Sequence, residues 1–184
     1  MARIYMVRHG KAAAGFGEGM DPGLDELGHK QAQAVAQKLD PLGPLPILSS
    51  PLRRTQETAA PLAKLWTRSP IIEPAVAEIP SPKGMTLEGR ALWLRNLMAG
   101  SWRSVTPELA EWREACIASV AGLTADTVIF SHYVAIKALA GGATGDDRVV
   151  SFSPDNCSVT TFETDGVILR LVEKGSEAPL TKVN

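Results

Sequence analysis

The stretch that decides the fold is the amino terminus, residues 1–10, MARIYMVRHG. Residues 4–7 are apolar and rich in β-forming side chains, a pattern that predicts a short strand buried on both faces. The strand ends in a cation, an imidazole and a glycine, namely Arg8, His9 and Gly10. Such residues directly after a buried strand lie where ligands bind in an open α/β sheet, so they are candidates for function.

Short apolar runs alternate with helical patterns through most of the remaining chain. Further strands are predicted at residues 47–48, 71–72 and 127–130, and helices at residues 26–40, 51–65, 86–99, 106–123 and 133–141. Two later runs, at 159–162 and 167–172, flank an Asp-Gly pair that signals a hairpin. This order implies an α/β fold, a three-layer sandwich of mostly parallel strands with helices on both faces. We expect one domain over residues 1–184.

The composition argues against several classes of function. The chain has 184 residues and a formal net charge of -1, which is atypical of a generally basic nucleic-acid binder. No apolar run is long enough to cross a bilayer, so we expect neither nucleic acid nor membrane as a partner. Cys116 and Cys157 show no metal-binding or redox spacing. Because Arg8 interrupts the first apolar run, no signal peptide is predicted, and the expected location is the cytoplasm.

Charged and imidazole side chains recur just beyond the predicted strands. They are Arg8 and His9 after the first strand, Arg53 and Arg54 after the second, Glu78 after the third and His132 after the fourth. Because parallel strands end at one edge of a sheet, these groups are expected to meet in one cleft. Each has an ordinary alternative: a strand-end histidine is often a surface residue, and Arg54 could pair with Glu57. The combination favours function, since the chain has only three histidines.

These segments resemble the motifs of the histidine phosphatase superfamily, whose members have the phosphoglycerate-mutase-like fold. Arg8, His9 and Gly10 match the signature that follows the first strand. The other matching segments are 49–59, which carries Arg54, then Glu78 with Ile79, Ser131 with His132, and 156–160. They cover nearly the whole chain in the family's order. The short chain suits the phosphatase, or phosphohistidine-phosphatase-like, branch.

The resemblance implies that His9 is a nucleophile that carries the phosphoryl group as a phosphohistidine intermediate. Nearby arginine charges are expected to keep the imidazole neutral at physiological pH, so that it retains a free lone pair. Arg8 and Arg54 would bind phosphate oxygens through forked donors, and His132 would add a third contact. The carbonyl of Gly10 is the implied partner that fixes the tautomer of His9.

Glu78 is the implied general acid, which gives a proton to the departing oxygen and must be protonated when the ester bond breaks. No metal ion or other cofactor is expected, because no cluster of ligating residues suggests one. The signature is followed by Lys11, Ala12 and Gly15, where many relatives have a Glu-Thr pair and an asparagine. The glycine-rich residues 10–23 are predicted to form a mobile rim over the cleft.

The predicted activity is that of a metal-independent, histidine acid-phosphatase-type phosphoric monoester hydrolase acting on a small phosphorylated substrate or a phosphohistidine protein. Two alternatives stay open. One is a phosphoglycerate-type mutase that moves phosphate between hydroxyls, although the chain has little room for the insertion that covers a mutase site. The other is a non-catalytic phosphate-binding module, against which the pair of histidines argues, because binding alone needs only cations. The sequence predicts neither the physiological substrate nor the oligomeric state.

Overall fold

The computed structural model describes residues 1–15 and 21–179. Its strands are β1 (Ala2–Arg8), β2 (Ile47–Ser49), β3 (Ile71–Ile72), β4 (Thr127–Ser131), β5 (Val159–Thr164) and β6 (Leu169–Glu173). Its α-helices are α1 (Glu26–Leu39), α2 (Arg53–Trp66), α3 (Leu87–Met98), α4 (Pro107–Ala121) and α5 (Tyr133–Thr144). Short 3₁₀ turns lie at Asp40–Leu42, Pro74–Val76 and Trp102–Ser104. The alternation of strands and helices expected from the sequence is confirmed.

The strands form one sheet in the order β3-β2-β4-β1-β5-β6. The pairs β3–β2, β2–β4 and β4–β1 are parallel, whereas β5 and β6 are antiparallel additions at one side. Arg8 at the end of β1 lies in register with Ser131 at the end of β4, and Ser49 of β2 lies beside Phe130. The carboxyl ends of these three strands therefore open at the same edge, as the mostly parallel α/β fold predicts.

Alternate residues of the central strands pack against different helices, which produces the two helical layers. On β4, Ile129 joins a core cluster with buried residues of α4 and α5. Its neighbours Val128 and Phe130 join another cluster with buried residues of α1 and α2. Because successive side chains of a strand point to opposite faces, the three central residues of β4 are all apolar, and all five of its residues are buried. The apolar run in the sequence reflects burial on both faces.

Two helices continue past residues that often end helices. Pro61 lies inside α2, yet α2 runs on to Trp66 and closes at Thr67 with a left-handed φ of 51°. Both Leu62 and Trp66 are buried, so packing of the last turn offsets the hydrogen bond that proline cannot donate. Similarly, α5 passes two glycines and ends at Thr144, because almost the whole helix is enclosed by the core.

The final hairpin differs from the sequence expectation at its turn. Val167 and Ile168 were expected to begin the last strand, but β6 begins at Leu169. The Asp165 carboxylate accepts hydrogen bonds from the N–H groups of both residues, at 3.1 and 2.8 Å. These bonds hold the two residues in the turn, a local arrangement that aspartate favours. In the described ranges, no helix is long and apolar enough to cross a membrane.

Candidate active site

His9 lies directly after β1, and its own loop fixes the orientation of its ring. Its backbone N–H donates to the carbonyl oxygen of Ser131 on the adjacent strand, at 3.0 Å. The ring Nδ1 lies 2.7 Å from the carbonyl oxygen of Gly10. Because a carbonyl oxygen can only accept, Nδ1 carries the proton and Nε2 keeps the lone pair. The partnership between Gly10 and the His9 ring that the family resemblance implied is therefore present.

Arg54 reaches the other nitrogen of the His9 ring from the first turn of α2. Its Nε donates to His9 Nε2 at 3.3 Å. The neighbouring Arg53 points elsewhere and forms an ion pair with Glu57 at 2.6 Å. Successive residues of a helix differ by about 100° in direction, so only one of the two arginines can face the histidine. The alternative pairing of Arg54 with Glu57 is not what the structure shows.

Two side chains tie the His9 loop to its surroundings. The hydroxyl of Thr58 accepts from the N–H of Gly10 at 3.0 Å and donates to the carbonyl of Arg54 at 2.6 Å. The amide of Asn156 donates to the carbonyl of His9 at 3.0 Å. Gly10 also has to be glycine, since a Cβ there would lie 2.7 Å from the carbonyl oxygen of Gly28 in α1. These contacts set the distance between His9 and the arginine of α2.

The second histidine lies beside the first. His132 caps the start of α5, is fully buried, and has its ring centroid 5.2 Å from that of His9. Its Nε2 is joined to the hydroxyl of Ser50 by a hydrogen bond of 2.7 Å. His9 itself keeps a 5% exposed fraction. Two imidazoles separated by 123 residues are thus adjacent, because β1 and β4 are neighbouring parallel strands.

Burial and neighbouring cations keep both imidazoles neutral. The pKa of His9 lies well below its ordinary value because of burial first, and then because of the Arg54 and Arg8 charges. The pKa of His132 is also well below the ordinary value, for burial and for the charges of the same site. Desolvation and like charge both disfavour an imidazolium ion. His9 Nε2 therefore presents a lone pair at neutral pH, which is what a nucleophile needs.

Arg8 forms the inner wall of the site. Its side chain is 1% exposed, and one guanidinium nitrogen donates to the carbonyl of Pro154 at 2.9 Å. The guanidinium carbon lies 4.7 Å from the centroid of the Tyr133 ring, a cation–π distance. Burial lowers the pKa of Arg8, while the charge of Glu78 acts in the opposite direction. The residue is held rigidly, and its charge acts on both imidazoles.

Glu78 also reaches the cluster, from the segment after the Pro74–Val76 turn. Both carboxylate oxygens accept from the N–H of Val134 in the first turn of α5, at 3.2 and 3.3 Å. One of them also accepts from the N–H of Ile79 at 3.0 Å. The amino end of a helix is a favourable place for a carboxylate. The Glu78 charge acts on both Arg8 and Arg54, so the sole acidic candidate lies with the cations.

The sequence model of the histidine phosphatase superfamily (branch 1) matches residues 4–175. The chain belongs to this superfamily. A probable phosphoglycerate mutase of Yersinia pestis, GpmB, is 32% identical over 126 residues, which cover 66% of this chain and 53% of that protein. A PE-PGRS family protein of Mycobacterium tuberculosis is 44% identical over 82 residues, or 41% of this chain and 14% of its own length. The chain thus covers about half, or less, of these curated relatives.

Solved structures share the fold over nearly the whole chain. A phosphoserine phosphatase from Entamoeba histolytica, in complex with 3-phosphoglyceric acid, has a TM-score of 0.76 at 22% identity and covers 96% of this chain and 98% of its own. A mycobacterial glucosyl-3-phosphoglycerate phosphatase has a TM-score of 0.72 at 21% identity, with coverage of 96% and 100%. At this level of identity the likeness establishes a phosphoglycerate-mutase-like fold.

Four side chains of this histidine phosphatase site received no role from the sequence. Ser50, Thr58 and Asn156 lie in segments that carry the family resemblance, but only the structure shows which site atoms they hold. Arg90 of α3 is the fourth: its Nε donates to the hydroxyl of Ser81 at 2.8 Å, and the pKa of Arg54 is lowered first by burial and then by the charge of Arg90. Arg90 lies in the first turn of the helix predicted at 86–99, where an arginine is usually solvated, so the sequence did not mark it as a site residue.

Several other polar and aromatic residues have ordinary structural roles. Lys11 pairs with Asp25 at 2.9 Å, and His29 is exposed on α1. Three tryptophans, Trp93 of α3, Trp102 of the last 3₁₀ turn and Trp112 of α4, pack in a core cluster. The proposed mobile rim at 10–23 includes residues 16–20, which lie outside the described residues. Across residues 1–15 and 21–179, no group of three or more His, Cys, Asp or Glu could hold a metal ion.

Proposed function

We propose that this chain is a metal-independent phosphatase that hydrolyses phosphomonoesters, or phosphohistidine, through a phosphohistidine intermediate on His9. The observation that carries the proposal is the state of the His9 ring: Nδ1 donates to the Gly10 carbonyl and so carries the ring proton, and Nε2 has a lone pair beside the Arg54 guanidinium. An anion that neutralises Arg54 would bring its phosphorus next to this lone pair. Phosphoryl transfer depends mainly on such positioning and charge stabilisation.

In the first step, His9 Nε2 attacks phosphorus, the N–P bond forms and the bond from phosphorus to the leaving oxygen breaks. Arg8, Arg54 and His132 stabilise the charge on the remaining phosphoryl oxygens. The leaving oxygen takes a proton from Glu78, which has to be protonated in the substrate complex. With a phosphohistidine substrate the leaving group is an imidazole, which needs less help from an acid.

In the second step, a water molecule attacks the phosphohistidine. The N–P bond breaks, its electron pair returns to His9 Nε2, and Glu78 recovers the proton that the water gives up. Inorganic phosphate then leaves, and the site returns to its starting state. Every proton and bond is accounted for without a metal ion or an external cofactor.

The test compares two histidine variants of the purified protein. His9→Ala should reduce turnover of a generic aryl phosphate by at least about 10⁴-fold, because it removes the nucleophile. His29→Ala, which changes an exposed histidine of α1, should leave turnover unchanged. Near-normal turnover in His9→Ala, with circular dichroism confirming the fold, would refute the mechanism.

A trapping experiment separates the phosphatase from the other readings. Quenching in alkali, where phosphohistidine survives, should recover labelled phosphate on the peptide that carries His9. A binding module should give no covalent label. The mutase reading is favoured by the relative named as a probable phosphoglycerate mutase. It would be supported if labelled phosphate moved to an added hydroxy acid instead of to water.

The substrate panel follows from the named phosphatases with the same fold. It consists of phosphoserine, glucosyl-3-phosphoglycerate, a phosphohistidine peptide and an aryl phosphate as reference. We propose a small phosphomonoester in the cytoplasm as the physiological substrate, with a phosphohistidine protein as the other candidate. A kcat/KM for the peptide well above those of the esters would select the phosphohistidine reading.

A further inference from the structure

Lys137 is a buried cation that the proposed reaction does not use. It lies in the middle of α5, and its side chain has no exposed surface. Its Nζ has no hydrogen-bond partner among the described residues. Lysine is almost never fully buried unless it is paired, because removing an ammonium from water is costly. A methionine would fill the same space without that cost, so packing does not explain a lysine at this position.

The Lys137 amine lies close to Arg8, the residue that forms the inner wall of the site. Its Nζ is 3.7 Å from the centroid of the Tyr133 ring, one helical turn earlier in α5. The guanidinium of Arg8 lies 4.7 Å from the centroid of the same ring. Tyr133 directly follows His132, and its hydroxyl donates to the Ser153 hydroxyl at 3.0 Å, which holds the ring in place. One aromatic ring therefore contacts both cations.

The charge of Lys137 responds to its neighbours in the neutral pH range. Burial lowers its pKa to about 7; Glu78 favours the ammonium form, and Arg8 opposes it. Other elements packed against α5 contribute little: Cys116 of α4 is neutral, since burial raises its pKa to about 12. Arg170 and Glu173 of β6 are exposed to solvent. Both site imidazoles are already neutral in this range, so among the basic side chains of the site Lys137 is the one that changes charge.

We propose that Lys137 is a proton-linked positioning residue: protonation of its amine and binding of a phosphate-like dianion at Arg8 and Arg54 favour each other. The inference rests on the proposed function only in that it places the anion between these arginines. A bound dianion offsets the repulsion between Arg8 and the ammonium, so the amine takes up a proton from solvent. By linkage, protonation of the amine strengthens anion binding by the same factor by which the bound anion strengthens proton binding.

Sulfate is the probe, because it has the shape of phosphate and stays a dianion throughout the neutral range. Its dissociation constant is measured by calorimetry between about pH 6 and about pH 8.5 for the wild type, Lys137→Met and Lys137→Arg. The wild type should bind about tenfold more weakly at the alkaline end, since a coupling of one pKa unit is a tenfold change. Lys137→Met should be weak and independent of pH, and Lys137→Arg tight and independent of pH.

The outcomes separate this inference from the proposed function. If Lys137→Met keeps the pH dependence of the wild type, or if the wild type has none, the role of Lys137 is refuted while the phosphate site stands. If sulfate does not bind the wild type even at the acidic end, both proposals fail. A merely structural lysine would change affinity equally at every pH, so the pH profile is the discriminating readout.

A measurement on the wild type alone covers the case in which a variant does not fold. With ¹³Cε-labelled lysine, the buried Lys137 signal is followed by NMR against pH, with and without saturating sulfate. The titration midpoint should rise by about one pKa unit in the presence of sulfate. This shift measures the effect of sulfate on protonation, which must equal the effect of protonation on sulfate binding. An unchanged midpoint would overturn the proposal.

Discussion

Replacing Lys137 by methionine should make this protein more stable, and by an amount that depends on pH. Methionine keeps the length and apolar stem of the side chain but removes the ammonium, so packing against Tyr133 is largely retained. A pKa of about 7, compared with 10.5 for a free lysine, corresponds at about 1.4 kcal/mol per unit to a penalty of about 5 kcal/mol for the charged, buried side chain. That is a large fraction of the stability of an ordinary domain.

The sign follows from proton binding in the two states. Between pH about 7 and 10.5 the unfolded chain holds a proton that the folded protein has released. The stability of the wild type therefore rises with pH across this window. The penalty is complete below the folded pKa, falls to about 2 kcal/mol near pH 9 and disappears above the unfolded pKa. Since methionine does not titrate, the advantage of Lys137→Met should shrink by about 3 kcal/mol from pH 6 to pH 9.

The assay is urea unfolding of both proteins at several pH values, read by circular dichroism. Taking the difference between the two proteins cancels the titration of every group they share. Lys64→Met, at an exposed position of α2, is the matched control and should differ from the wild type by less than about 0.5 kcal/mol at each pH. A difference between Lys137→Met and the wild type that does not vary with pH would refute the reasoning. So would a destabilised Lys137→Met at pH 6.

Three further predictions concern the site itself. Arg54→Lys keeps the charge but loses the forked donors, so inhibition by inorganic phosphate should weaken about tenfold; equal inhibition constants would contradict the role of the fork. Glu78→Gln should lower kcat for alkyl phosphates at least about 100-fold and for phosphohistidine peptides far less; indifference on both would remove Glu78 as the acid. Thr58→Val leaves the Gly10 N–H without its acceptor, so unfolding free energy should fall by about 1–3 kcal/mol; an unchanged value, measured by urea unfolding, would show that water replaces the hydroxyl.

Much of the active-site cluster could be anticipated because strand ends constrain where residues meet. Once β1 and β4 are parallel neighbours, His9 and His132 must lie at one edge of the sheet, whatever lies between them. The choice of Arg54 over Arg53 came from the family resemblance, and in the structure Arg54 is the one that contacts the His9 ring. Apart from the Gly10 carbonyl, which the family resemblance implied for the His9 ring, the hydrogen-bond partners of these residues could not be predicted, because they depend on angstrom-scale packing of α1 and α2 against the loop.

Lys137 shows why a buried charge can be overlooked in the sequence. A lysine normally reaches solvent from its helix, even where, as in α5, the other residues are mostly apolar and indicate a buried helix. In the structure, every residue from Tyr133 to Gly141 is buried, including this one. The helix has no solvated face because β1, α4 and β6 surround it, and that enclosure is a property of the whole fold.

By itself the sequence determined the alternation of buried strands and helices, the mostly parallel sheet and the strand ends at which the histidines and arginines gather. These features follow from local periodicity and from the geometry of parallel strands. Only the tertiary structure decided the pairing of His132 with Ser50, the place of Glu78 at the start of α5, and the burial of Lys137 against Tyr133. Those features depend on which atoms lie within about 3–4 Å of each other. Such contacts join segments that are far apart in the sequence, so only the folded chain determines them.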